Sequence, residues 1–128
     1  MMRVSTVLLL LLAAVPAVLA RQLPDSLTAQ GRIYVVTTLP GDLVYNRYGH
    51  TAIRVFDRRQ GLDVTFNFGT FDFEQPGFVQ KFVDGELDYF LSYSSTRRAS
   101  QTARIQDRTM RQQLLDINRE QRDAIYAA

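Results

Sequence analysis

The sequence predicts an α+β domain: an antiparallel β-sheet of about five strands with one short helix and one C-terminal helix. Runs of β-branched and aromatic residues recur between turn-forming residues, which is typical of strands. The short connection at residues 57–63 between two of these runs favours an antiparallel hairpin. Helical signals appear at residues 78–83 and after Asn118.

Residues 1–20 are predicted to be a cleavable export signal. Arg3 gives a positively charged start, an unbroken apolar run begins at Val7, and Ala20 is the small residue expected at the cleavage site. The apolar run is shorter than the ~20 residues that a membrane-spanning helix needs. We therefore expect cleavage after Ala20 and export of residues 21–128 as one small domain.

The first half of the domain contains three predicted strands. Residues 33–38 are rich in β-branched residues, and a turn with Pro and Gly follows at residues 39–42. Residues 51–56 and 64–68 are the two strands of the hairpin.

The second half alternates helical and strand signals. Residues 78–83 have apolar residues at helical spacing and are followed by a Gly, and residues 87–93 alternate as in a strand. Residues 94–98 are interpreted as a polar connection and residues 106–115 as a further strand.

Asn118 is predicted to cap the last helix, with Gln121 completing a capping box. This helix ends without the Gly, Asn or Pro that commonly closes a helix, which suggests a domain truncated at its C-terminus. In that case Ile125 and Tyr126 would lack a partner surface.

Composition argues against several kinds of site. The sequence has one histidine and no cysteine, so the usual nitrogen and sulfur ligands of a metal site are missing, and no glycine-rich loop for a phosphate cofactor is visible. We therefore expect neither metal nor cofactor. Residues 97–122 are rich in arginine but contain no aromatic residue for base stacking, so they are interpreted as solvated surface rather than a nucleic-acid site.

His50 is the residue best suited to acid–base chemistry near neutral pH. Gly49 before it permits a sharp backbone bend and leaves the approach to the imidazole uncrowded. A hairpin centred on Gln60 places His50 opposite Thr70 and Asn67 near Ile53.

Two interpretations of the polar residues near His50 remain open. Asn67 or Thr70 could orient the imidazole, or Asn67 and Asp72 could cap turns; turn capping is favoured for Asp72, and the two roles are evenly balanced for Asn67. A serine nucleophile at position 92, 94 or 95 is a further alternative, although no sharp nucleophile turn is present.

Two blocks of the sequence resemble the Lnb N-terminal periplasmic domain family, long described as a bacterial domain of unknown function. They are YGHTAIRV at residues 48–55 and NFGTFDF at residues 67–73. The other similar positions are Phe78, Lys81, Phe82, Gly85 and residues 87–89, with a less specific likeness over residues 98–121. The resemblance covers most of residues 21–128 and implies a periplasmic location.

This family is similar to circularly permuted papain-like cysteine enzymes, in which the histidine precedes the nucleophile. The resemblance implies that His50 is the catalytic histidine, with Asn67 or Thr70 as a third member. It also implies a cysteine in a downstream Asn-Cys-Ala-Thr-like segment, whereas this sequence contains no cysteine. Because a base without its thiol cannot form an acyl-enzyme, we expect an incomplete hydrolase or acyltransferase domain that is inactive as it stands.

The resemblance implies a lipid or lipoprotein acyl substrate at the membrane surface. The alternative is a non-catalytic periplasmic binding or interaction module that kept the fold without the nucleophile. A coding sequence that continues beyond Ala128 with a cysteine motif would distinguish the enzyme from the module.

Overall fold

The computed structural model describes residues 22–43 and 46–128, and the predicted export signal at residues 1–20 lies outside them. The fold is α+β, with one five-stranded antiparallel sheet and three helices among the described residues. The elements are β1 (Arg32–Thr38), β2 (His50–Asp57), β3 (Leu62–Thr70), α1 (Phe78–Asp84), β4 (Phe90–Ser95), α2 (Thr96–Ile105), β5 (Met110–Leu114) and α3 (Arg119–Ala127). The strand order across the sheet is β4-β3-β2-β1-β5.

The predicted hairpin is confirmed, with a register shifted by one residue. Asn67 pairs with Ala52, and Phe66 pairs with Ile53. The pairing of β3 with β4 is interrupted by a bulge between Asn67 and Thr70. The bulge adds residues to one strand, so the simple hairpin count that placed Thr70 opposite His50 does not hold there.

The prediction of a polar connection at residues 94–98 is wrong, because β4 runs to Ser95 and α2 begins at the next residue. The hydroxyl of Ser95 accepts a hydrogen bond from the backbone N–H of Arg98 and so caps the helix. With α2 included, residues 22–43 and 46–128 contain three helices instead of the predicted two. The strand expected at residues 106–115 is shorter and starts at Met110, and the one expected at residues 87–93 starts at Phe90.

One face of the sheet forms the apolar core. Its buried residues are Leu27, Ile33, Val55 and Leu62, and the partly buried residues packed against them are Leu23, Ile53, Val64, Phe66, Leu115, Ile117 and Tyr126. These residues come from the sheet, from the segment before β1, from the connection between β5 and α3, and from α3. This core therefore holds the two ends of the described chain against the same face of the sheet.

The capping box that starts α3 is confirmed, since Asn118 accepts from the Gln121 backbone and the Gln121 side chain accepts from the Asn118 backbone. Tyr126 packs against the core, and its hydroxyl donates to the carbonyl of Pro24 at 2.5 Å. The expectation that Tyr126 lacks a partner surface is therefore wrong. Ile125 remains 41% exposed.

The α1 helix has no buried residue and is held by aromatic contacts. The ring of Phe71, which follows β3, lies 5.3 Å from that of Phe78 and 5.8 Å from that of Tyr89, measured between centroids. Phe71 also lines the candidate site described below, so these contacts hold α1 against the segment that borders that site.

Candidate functional site

The second face of the sheet and α2 line a cavity of about 380 Å³ that is open to solvent on one side. Most of the residues that line the cavity are in the strands. Side chains alternate between the two faces of a strand, and the lining residues are those that point to this face. The lining from β1, β2, β3 and β4 comprises Val36, Thr38, His50, Ala52, Thr65, Asn67, Gly69, Thr70, Ser92 and Ser94. The remainder comes from Asn46, Gly49, Phe71, Phe73, Ala99, Thr102, Ala103, Gln106, Arg108 and Met110.

All three residues singled out from the sequence, His50, Asn67 and Thr70, line this cavity. His50 is the first residue of β2 and pairs with Thr38 of β1. Gly49 before it has a φ of +72°, and a Cβ at that position would lie 2.8 Å from the carbonyl oxygen of Thr38. A glycine is thus needed at this position for the predicted bend. The group that a side chain would crowd is the Thr38 carbonyl rather than the imidazole.

The imidazole of His50 contacts the side chain of Asn67. The Nε2 atom of His50 and the Oδ1 atom of Asn67 are 3.2 Å apart, and both groups are partly buried. A carbonyl oxygen can only accept a hydrogen bond, so this contact requires that Nε2 carry the proton. Nδ1 of the neutral ring is then the basic nitrogen.

The contact follows from the strand pairing. His50 and Ala52 share one face of β2, and Ala52 is the direct partner of Asn67 in β3. Diagonal neighbours on adjacent antiparallel strands lie close enough for polar side chains to meet. Of the two interpretations for Asn67, the structure displays the one in which the amide contacts the imidazole.

Thr70 makes a different contact. Its hydroxyl lies 2.6 Å from the hydroxyl of Ser92, so it links β3 to β4 across the bulge. The carboxylate of Asp72 accepts a hydrogen bond from the backbone N–H of Glu74 at 2.9 Å, which is the turn-capping role favoured from the sequence.

Of the serines considered as nucleophiles, Ser92 and Ser94 line the cavity, whereas Ser95 caps α2. The hydroxyl of Ser92 is engaged with Thr70.

Arg108 is a residue of the cavity wall that sequence analysis assigned to the solvated surface. Its Nε donates to the carbonyl of Leu39 at 2.9 Å, and its Nη1 donates to Oδ1 of Asn46 at 3.1 Å and to Oε1 of Gln106 at 3.3 Å. Its Nη2 is buried and has no hydrogen-bond partner among the described residues. The sequence carried no signal for this position, because the contacts with Leu39 and Asn46 join residues more than 60 positions apart in the chain.

The cavity has a distinct charge pattern. Among the lining residues given above, His50 and Arg108 are the ones that can carry charge, and no carboxylate is present. Over residues 22–43 and 46–128, no cluster of three or more His, Cys, Asp or Glu side chains could hold a metal ion.

Comparison of the chain with protein-family models, with curated proteins and with solved structures found no match. The resemblance to the Lnb N-terminal periplasmic domain family therefore stays a prediction. Among the described helices, none combines the length and the apolar character needed to cross a bilayer.

Proposed function

We propose that His50 and Asn67 form the base and its orienting partner in an acyl-transfer or hydrolase site of the permuted papain-like type. The observation that carries the proposal is the 3.2 Å contact between Nε2 of His50 and Oδ1 of Asn67 at the wall of a cavity. In a histidine-assisted nucleophilic mechanism, a third group orients the base by hydrogen-bonding to the ring nitrogen that does not take part in proton transfer. The Asn67 amide is suited to this role.

The proposed chemistry assigns Nδ1 of His50 to proton transfer. It takes the proton of a cysteine thiol, the thiolate attacks the carbonyl carbon of an ester or amide, and the imidazolium returns the proton to the departing alcohol or amine. Water then cleaves the resulting thioester in a hydrolase, or a second alcohol or amine takes up the acyl group in a transferase.

In this proposal the thiol is supplied from outside these 128 residues, which contain no cysteine. We therefore propose that the described domain is the histidine-bearing part of the enzyme and that it has no acyl-transfer activity by itself. The substrate proposed from the family resemblance is a lipid or lipoprotein acyl group at the periplasmic membrane surface. The apolar part of the cavity wall, including Val36, Phe71 and Met110, supports an acyl chain as the bound group.

A non-catalytic binding module is the second candidate, because the cavity exists within a sequence that supplies no thiol. In that case the contact between His50 and Asn67 would shape the cavity wall without proton transfer.

Sequencing the coding DNA past the Ala128 codon and assaying the complete gene product with a p-nitrophenyl ester would test the proposal. We expect a downstream cysteine, turnover that iodoacetamide abolishes, and a fall in kcat of about 10² to 10⁴ for His50→Ala, which is the usual contribution of general acid–base catalysis. Thr70→Val is the matched control, since Thr70 contacts Ser92 rather than the imidazole. Full turnover by the His50→Ala variant, or a complete gene product without cysteine, would leave the binding module as the better description.

A further inference from the structure

We propose that the cavity binds a small organic molecule through its carboxylate group, with Arg108 as the residue that recognises the charge. The proposal is independent of whether His50 acts as a base. It rests on the hydrogen bonding of the Arg108 guanidinium and on the charge of the cavity wall.

Arg108 differs from the other shielded arginines of this protein. Among the described arginines, Arg54, Arg108 and Arg122 are the ones that are not classed as exposed. Arg54 pairs with Asp63 at 2.7 Å, and Arg122 pairs with Asp123 at 2.6 Å. Arg108 instead donates to three neutral oxygens.

A partly buried arginine that has no anionic partner is in an unfavourable state. Taking a charged group out of water is costly unless a counter-charge or a full set of hydrogen bonds replaces the lost hydration. Neutral oxygens satisfy two of the three Arg108 nitrogens, and the buried Nη2 has no partner in the part of the chain that the structure describes. Nη2 itself is closed to solvent, but Arg108 is part of the cavity wall, so an anion bound in the cavity would lie beside its guanidinium and supply the missing counter-charge.

The position of Arg108 also fits this role. It lies two residues before Met110, which pairs with Thr38, and Thr38 pairs with His50 on its other side. Arg108 and His50 therefore both belong to the wall of one cavity, at opposite sides of β1. Hydroxyl groups of Thr38, Thr102 and Ser94 in the same wall add donors for an anionic oxygen.

The rest of the wall favours a carboxylate on a short apolar body over a phosphate. Val36, Ala52, Ala99, Ala103 and Met110 give the cavity an apolar part, and one arginine matches a single negative charge. A phosphate dianion would require more positive charge than this wall provides.

The test compares hexanoate with hexanamide, which have the same chain and differ in the charged group. Each is titrated into the purified protein while NMR follows the ring signals of His50, the single histidine, and the Nε–H signal of Arg108. We expect saturable shifts with hexanoate and at least about tenfold weaker binding of hexanamide, because a hydrogen bond to a charged partner is much stronger than one to a neutral partner. Equal affinity of the two ligands, or no saturable shift with hexanoate, would overturn the proposal.

Substitutions test whether Arg108 is the residue that recognises the carboxylate. Arg108→Gln should remove the preference for hexanoate, and Arg108→Lys should retain part of it. The matched control is Arg111→Gln, which removes the same charge from an exposed position of β5 that alternates away from Met110. If Arg108→Gln does not fold, the affinities of hexanoate and hexanamide for the unaltered protein and for Arg108→Lys still test whether Arg108 recognises the carboxylate. Inorganic phosphate binding more tightly than hexanoate would reject a carboxylate as the ligand.

Discussion

The hydroxyl oxygen of Thr70 lies 2.6 Å from that of Ser92 and joins β3 to β4 at the wall of the cavity. Thr70 and Asn67 are both polar residues of β3, yet the side chain of Asn67 contacts His50 and the side chain of Thr70 contacts β4. The bulge between Asn67 and Thr70 separates their roles. Substitutions at the two positions should therefore have different effects on the imidazole.

Replacing Asn67 by Ala should increase the exchange of the His50 Nε2 proton with water by about fivefold. The physical reason is the loss of one hydrogen bond, whose net contribution is about 1 kcal/mol. Proton NMR of the single histidine measures this rate. Thr70→Val is the control and should leave it unchanged, and an equal change in both variants would mean that Asn67 does not hold the ring.

Gly49→Ala should destabilise the fold by about 2–4 kcal/mol. The left-handed φ of +72° strains any residue with a Cβ, and this Cβ would also meet the Thr38 carbonyl at 2.8 Å. Gly85→Ala is the matched control, because Gly85 has a φ of +74° and nothing within 4 Å of the added carbon. It should lose about 1 kcal/mol from strain alone. Urea unfolding of both variants checks the difference, and equal losses would show that the Thr38 carbonyl moves aside freely.

Asp57→Asn should cost about 2–3 kcal/mol at pH 7. The buried carboxylate accepts hydrogen bonds from the backbone and hydroxyl of Thr28 and from the backbone N–H groups of Arg59 and Gln60. An amide nitrogen in place of one oxygen cannot accept these bonds and leaves buried donors unsatisfied. Chemical unfolding measures the loss, and Asp88→Asn at an exposed position should change stability by less than about 0.5 kcal/mol.

The Asp57 carboxylate should also make the stability of the fold depend on pH in the acidic range. Burial by itself would raise the pKa of Asp57, but the hydrogen bonds from Thr28, Gln60 and Arg59 outweigh it and leave the pKa below its ordinary value of 3.8. The unfolded chain therefore binds the proton more readily than the folded one, so the stabilisation is present above the ordinary pKa and is lost as pH falls through the lowered value. Unfolding curves measured from pH 6 downward should fall less steeply for Asp57→Asn than for the unaltered protein.

Arg122→Gln should cost about 2–3 kcal/mol, whereas Arg119→Gln should cost less than about 0.5 kcal/mol. Both arginines contact Asp123, but the Arg122 side chain is 8% exposed and also donates to the Gly31 carbonyl, while the Arg119 side chain is 75% exposed. Exposed ion pairs contribute little to the free energy of unfolding. Loss of the Arg122 donor would leave the buried Gly31 carbonyl without a hydrogen bond, which is costly. Thermal unfolding of the pair checks this, and similar midpoints would contradict a structural role for Arg122.

Features that depend on a few neighbouring residues could be predicted from the sequence. The β-branched run at residues 33–38 forms β1, the hairpin pairs as expected to within one residue, and the capping box of Asn118 and Gln121 is present. In each case the deciding interactions join residues close in the chain. The position of His50 at the start of a strand belongs to the same group.

The α2 helix was not predicted from the sequence because it has few apolar residues. Its buried position is Ala103, and the cap is the hydroxyl of Ser95, a residue that also ends β4. A serine gives the same local signal in a turn, at a helix cap or at the end of a strand. The packing of α2 against the sheet, which sequence periodicity does not reveal, distinguishes these cases.

The sequence alone determined β1, the β2–β3 hairpin, the cap of α3 and the position of His50 at the start of a strand, since these follow from local conformational preference and side-chain type. The tertiary structure decided which groups meet: the order that places β5 beside β1, the bulge that separates Thr70 from Asn67, the partial burial of Arg108 and the burial of Arg122. These contacts join residues far apart in the chain, such as Arg108 with Leu39 and Arg122 with Gly31. They exist because the sheet brings distant segments to one face, and burial then makes each unpaired polar group costly.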